Sequence, residues 1–162
     1  MHLGPYLLPL LHPQALNYAA AFNETTADRY PYTSGSGGTT GTCNSALIAA
    51  TPVGQAIRLS GGAGLVWPTN NEAALMAAVA AAPTTVYFEA QTSFQMYAGG
   101  VYMATADCGA SLNHAMLAVG YNWTGDSASS YWILKNSWGS GWGEGGYFRI
   151  AMTGDGIGPC GM

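Results

Sequence analysis

Two residues in the last third of the chain have the types and setting to do chemistry together: His114 and Asn136. Two apolar runs, 115–121 and 131–134, are joined by a polar turn containing Gly125, Asp126 and Ser127, a hairpin pattern with a long connection. His114 opens the first run and Asn136 closes the second. In an antiparallel pair the start of one strand lies beside the end of the next, so the imidazole and the carboxamide are expected to meet. A carboxamide oxygen accepts from one ring N–H and fixes the tautomer, leaving the other nitrogen to exchange a proton with a nucleophile. That is the base-and-orienter half of a nucleophilic centre. A histidine taken at random is more often an ordinary core or surface residue. Here the Asn136-Ser-Trp-Gly segment tips the balance, because Trp138 can lie over the His–Asn bond and keep water from it.

The longer blocks around this pair carry a resemblance. Leu112-Asn-His-Ala, Val119-Gly-Tyr, Tyr131-Trp-Ile-Leu-Lys-Asn-Ser-Trp-Gly and Trp142-Gly-Glu-Gly-Gly-Tyr-Phe-Arg-Ile, in this order and spacing, resemble the C-terminal half of papain-like cysteine peptidases. The likeness is most specific over 94–150 and weakens toward residue 14. It implies acyl transfer through a thioester, with His114 as base then acid and Asn136 as its orienter. It also implies substrate lying against Leu112, Asn113, Ala115 and Trp138, with Tyr87 narrowing an apolar pocket. Cys108 and Cys160 match family positions that pair with each other, while Cys43 matches one whose partner lies in the N-terminal half. Expected partners are a peptide or protein substrate, the N-terminal half itself or a cystatin-like inhibitor, with no cofactor and no metal. The expected compartment is the secretory pathway, a lysosome or vacuole, or the extracellular space.

One part of that machinery is not in evidence. Cys43, Cys108 and Cys160 stand in Gly-Thr-Cys-Asn, Asp-Cys-Gly and Pro-Cys-Gly contexts, none resembling the family's Cys-Gly-Ser/Ala-Cys-Trp/Tyr signature. The family's His and Asn follow the nucleophile by about 130–150 residues, which from His114 falls before Met1. The expectation is therefore a cysteine endopeptidase present as its C-terminal portion, with base and orienter but no nucleophile, and inactive alone. The alternatives are a non-catalytic peptide-binding or inhibitory module, or a secreted structural domain whose His–Asn pair is only a buried polar contact.

Composition narrows the partners. The chain has 162 residues, 49% hydrophobic and only 7% charged, with a net charge of −4, against about 25% charged in ordinary soluble domains. It lacks the basic face that nucleic acid requires. Its apolar runs stop short of the roughly 18 residues of a membrane span. An odd number of cysteines leaves one thiol over, and Asn23-Glu-Thr and Asn122-Trp-Thr are acceptor sequences for glycosylation.

Three segments follow from these readings. Residues 1–13, broken by Pro5, Pro9 and Pro13, read as a leader outside the family pattern. Residues 14–50 read as a remnant of the helical domain, with a helix over 14–22. Residues 51–162 read as an α+β, papain-like domain: a curled antiparallel sheet of about five strands that carries His114 and Asn136, with one helix packed on it. Within it, strands are expected near 54–59 and over 84–90, and a short helix, a Gly-Gly turn and a strand over 93–102. Thr69-Asn-Asn-Glu72 reads as a capping box for a helix over 73–82, which Pro83 stops.

Overall fold

The computed structural model describes residues 14, 15, 17, 18, 25–33, 38–50, 71–103, 108–154 and 158–162. These fall in two units, one within Leu11–Leu65 and one containing Val66–Met162. The leader, the strand near 54–59, Thr69 and Asn23 lie outside the described residues. In the first unit Gln14, Ala15, Asn17 and Tyr18 are helical. A short helix α1, Ser45–Ala49, follows. Asn44 starts it: its Oδ1 accepts from Leu47 N at 3.1 Å, and its own N–H donates to Tyr30 Oη at 2.9 Å.

The second unit begins with α2, Glu72–Ala81, an Ala-rich segment suited to helix. The expected capping box is not what starts it. The cap is Asn71, whose Oδ1 accepts from Ala74 N at 2.9 Å, and Glu72 turns its carboxylate elsewhere. Pro83 disfavours helical geometry at the residue before it, and Ala82 is accordingly extended at φ −162°, ψ 157°.

Five strands follow: β1 Thr84–Phe88, β2 Val101–Tyr102, β3 His114–Asn122, β4 Tyr131–Lys135 and β5 Tyr147–Ala151, with a short helix α3, Thr92–Gln95, between the first two. They form one sheet in the order β1-β3-β4-β5-β2. Three pairings are antiparallel, but β2 runs parallel to β5, so the sheet is mixed rather than wholly antiparallel. The reason is the route of the chain. After β1, the α3 segment crosses the sheet and lays β2 on its far edge, along β5, and a crossover of that kind can deliver a parallel strand where a tight hairpin cannot.

The register explains which side chains are inside. Phe88 pairs with His114, Val86 with Met116, Ala118 with Leu134, and Leu134 with Phe148. These residues share one face because paired residues point the same way. A bulge between Ala118 and Gly120 then shifts the register, so that Tyr121 rather than Gly120 lies opposite Trp132. One extra residue inverts the alternation from that point on. Phe88, Phe94, Ala118, Trp132, Leu134, Phe148 and Ile150 are wholly buried on this face, with Val79 of α2 packed against them.

The β4–β5 connection is held by Glu144 and Arg149. Arg149 Nε donates to Glu144 Oε2 at 2.8 Å and its Nη2 donates to the other oxygen, which also accepts from Gly100 N at 3.1 Å. One carboxylate thus ties the turn before β2 to the strand beside it. Gly143 has no alternative here: at φ +57° a Cβ would stand 2.6 Å from Tyr147 O. The guanidinium hydrogen bond holds Glu144 down at about 2, from its ordinary 4.5. A carboxylate depressed on folding stabilises the fold above its unfolded value, and that contribution disappears as pH falls through the folded one. The denaturant midpoint of this protein should therefore drop between about pH 4.5 and 2, and in Glu144→Gln that component of the drop should be missing.

Candidate active site

His114 and Asn136 meet through strand geometry. Leu117 pairs with Lys135, which sets Asn136 across from Met116 and one diagonal step from His114, on the same face. Asn136 is fixed beyond the end of β4 by its own N–H, which donates to Gly146 O at 3.0 Å. The result is a contact of 2.9 Å between His114 Nε2 and Asn136 Oδ1. Ser137 N donates to the same oxygen at 2.8 Å. Because that backbone N–H must find an acceptor, the carboxamide is oriented with oxygen toward the ring. His114 Nε2 is then the donor in this contact, and in a neutral imidazole of that tautomer Nδ1 is the acceptor.

The Asn136 side chain is buried, with the residue only 5% exposed, and His114 is half-buried. Trp138 lies over the imidazole, ring centres 5.0 Å apart and planes 38° apart, while remaining 41% exposed. It is a lid with one wet face. What holds the lid is an aromatic cluster centred on Phe94, the wholly buried residue of α3. Phe94 sits 5.2 Å from Trp138, 4.9 Å from Trp142, 4.8 Å from Phe148 and 5.9 Å from the His114 ring. Trp142 is pinned in turn, its Nε1–H donating to Gln95 O at 3.0 Å. Neither Phe94 nor Ser137 is prominent in the sequence reading. The usable signals were an aromatic in a four-residue helix and a serine fixed between Asn136 and Trp138.

The other expected site residues take several different places in the fold. Tyr87 and Ala115 are cross-strand partners and both half-buried, and burial raises the Tyr87 hydroxyl above its ordinary value. Leu112 rests on Gly161, where a Cβ would come within 3.0 Å of Leu112 Cδ2. Asn113 does something the sequence did not suggest. Its side chain accepts from Ala90 N at 2.7 Å and donates to Ala90 O at 3.2 Å. It thereby continues the β1–β3 pairing past Phe88 and steadies the strand that presents His114. Glu89 is paired, accepting from Ser111 N at 2.8 Å and from Gln91 Nε2 at 2.5 Å. Cys108 and Cys160 are disulfide-bonded, with Cα atoms 4.8 Å apart. Cys43 is a free, exposed thiol and Asn122 is exposed. Among the described residues no cluster of three or more His, Cys, Asp or Glu forms that could hold a metal.

Asn136→Ala tests the tautomer. A neutral hydrogen bond is worth about 1 kcal/mol net, so its loss should reduce the His114 Nε2–H preference about fivefold. The imidazole ¹⁵N shifts should move toward a mixture of tautomers; unchanged shifts would mean that the carboxamide does not set the proton.

Comparison with known proteins identifies the family. The sequence matches the papain family of cysteine proteases over residues 11–162. It is 41% identical over 140 residues to the cysteine endopeptidase Rep1 of Oryza sativa subsp. japonica, covering 85% of this chain and 34% of that protein. It is 42% identical over 153 residues to the thiol protease SEN102 of Hemerocallis sp., covering 91% and 39%. Among solved structures, the bromelain protease of Ananas comosus in complex with the E64 inhibitor superposes with a TM-score of 0.69 at 36% identity, covering 91% of this chain and 62% of that one. Digestive procathepsin L 3 of Tenebrio molitor gives 0.72 at 33% identity, covering 92% and 45%. The chain therefore spans little more than a third of the length of those two plant proteases. Matched over residues 11–162, the chain belongs to the papain family of cysteine proteases.

Proposed function

We propose that this chain supplies the base side of a cysteine endopeptidase centre, and that the attacking thiolate comes from polypeptide outside residues 1–162. The observation that carries this is the 2.9 Å contact from His114 Nε2 to Asn136 Oδ1, reinforced by Ser137 N and roofed by Trp138. An imidazole held at Nε2 presents Nδ1 to a thiol. It takes the thiol proton, the thiolate attacks the peptide carbonyl, and the imidazolium returns a proton to the departing amine. Water then hydrolyses the thioester with the same ring acting as base. Of this chain's cysteines, Cys108 and Cys160 are bonded to each other, and Cys43 lacks the sequence context of the family's nucleophile. Leu112, Ala115 and Tyr87 suit an apolar substrate side chain. Asn113, committed to Ala90, acts there as a support. A cystatin-like inhibitor and the N-terminal half of a papain-like protein are the macromolecular partners this reading implies. The disulfide favours an oxidising compartment, such as the secretory pathway or a vacuole.

The test is complementation. The 1–162 chain, alone and joined to a segment bearing a Cys-Gly-Ser-Cys-Trp block, is assayed on a fluorogenic peptide with an apolar residue before the cleaved one. Turnover should require both parts. Hydrolysis by 1–162 alone at the complemented rate would refute the missing-nucleophile reading, and a folded but inert complemented protein would refute the endopeptidase reading.

A further inference from the structure

The β3–β4 hairpin carries a feature that catalysis does not use. β3 ends at Asn122, the first residue of Asn122-Trp-Thr124. Asn122 is exposed, and it pairs with Tyr131 across the hairpin. The bulge beyond Ala118 decides where it points. By turning Tyr121 onto the core face opposite Trp132, it sends Asn122 to the outer face beside the Tyr131 ring. Trp123, next in sequence, is 47% exposed. Asn122 thus lies across the hairpin from Tyr131 and next in the chain to an exposed indole. The Thr124 hydroxyl closes the turn by donating to Asp126 O at 3.1 Å, and Thr124 N donates to Ser130 Oγ at 3.0 Å. The loop is ordered and open outward. His114 stands at the other end of the same nine-residue strand, about 26 Å away at ~3.3 Å per residue, so a bulky group here leaves the imidazole clear.

We infer that Asn122 is an N-glycosylation site and that the glycan covers the exposed aromatic end of this hairpin. Two independent observations support it: the acceptor sequence at an outward-facing hairpin end, and a disulfide, Cys108–Cys160, of the kind that forms in the secretory compartment where glycan transfer occurs. The step is a group transfer from an oligosaccharide carried on a lipid pyrophosphate. Asn122 Nδ2 forms a bond to the anomeric carbon, the sugar–pyrophosphate C–O bond breaks, the amide loses one proton and the lipid pyrophosphate leaves; nothing is oxidised or reduced. A chain with only 7% charged residues gains from it a hydrated cover that charge does not otherwise supply.

The test expresses the 1–162 chain behind a secretion leader in eukaryotic cells and reads its mass before and after peptide N-glycosidase. The peptide containing residue 122 should carry a glycan that the enzyme removes from the native protein, leaving Asp in place of Asn122. Asn122→Gln should abolish the modification, Thr124→Ser should retain it, and Thr124→Ala should lose it; Asn23→Gln separates the other acceptor sequence. Transfer precedes folding, so cell-free translation into microsomes gives the same readout for any variant that is not secreted. An unmodified Asn122 peptide from the secreted or microsomal chain, or a glycan confined to Asn23, overturns the assignment.

Discussion

His114→Ala, in a complemented protein with its thiol nucleophile, is expected to lower kcat/KM for a peptide substrate by about 10⁴-fold. Two losses combine. Without an imidazolium partner a thiol returns to a pKa near 8.5, leaving roughly 3% thiolate at pH 7, a factor of about 30. Without a general acid the amine must depart unprotonated, which costs a further 10²–10⁴. The two factors separate experimentally. An activated ester needs no proton on its leaving group, so its acylation should fall by only about 30-fold in the same variant. Asn136→Ala keeps the ring and should give a smaller loss, chiefly in kcat, since the carboxamide orients the base without touching the substrate. Equal losses on ester and peptide would assign His114 a binding role, and unchanged peptide hydrolysis would remove it from the mechanism. An unaltered unfolding midpoint separates either result from misfolding.

The His114–Asn136 contact was legible because both of its determinants are local. A hairpin pattern brings His114 and Asn136 to neighbouring strands, and residue type supplies the chemistry. The strands themselves were legible for the same reason: β-branched and aromatic residues fill 84–88, and apolar runs mark β3 and β4. What escaped depends on pairs distant in sequence. Phe94 gives no periodic signal from a four-residue helix, yet it centres the cluster that carries Trp138. The resemblance sets Asn113 against substrate and gives no hint that its carboxamide also engages Ala90, 23 residues back. The parallel β2 edge depends on a crossover and on Glu144 reaching Gly100, neither of which a two-residue strand announces. The bulge that turns Asn122 outward is likewise a property of pairing, since 115–121 is an unbroken apolar run that gives no sign of it.

Glu72 is the sharpest case, because two readings of it differ severalfold in energy. As the acidic residue in the first turn of a helix it would contribute about 0.3–1 kcal/mol through the helix dipole. The structure gives it a different place. Glu72 is only 6% exposed, and its carboxylate accepts from Trp132 Nε1 at 3.1 Å, from Thr153 N at 3.1 Å and from Gly154 N at 2.6 Å. It therefore joins the start of α2 to the middle of β4 and to the strand exit after β5. Removing it leaves the indole N–H of wholly buried Trp132 without an acceptor, and an orphaned buried donor costs about 1–3 kcal/mol. The Thr153 and Gly154 amides belong to exposed residues and regain water, so they return only their net charged-group hydrogen bonds, about 1.5 kcal/mol each. The sum places Glu72→Ala at about 4–6 kcal/mol of destabilisation, overlapping the upper part of the range measured when one partner of a buried charged contact is removed. At an m-value near 2 kcal/mol/M in urea this lowers the midpoint by roughly 2–3 M, readable from tryptophan fluorescence. Glu72→Gln keeps one acceptor oxygen but turns an NH₂ toward donors, and should lose roughly half as much. Combining Glu72→Ala with Trp132→Phe removes donor and acceptor together, so the pair should cost less than the sum of the singles by about 1 kcal/mol or more. A loss below 1 kcal/mol in Glu72→Ala, with additive double-variant behaviour, would return Glu72 to a helix-start residue and leave the anchoring of α2 to Val79 and its apolar neighbours alone.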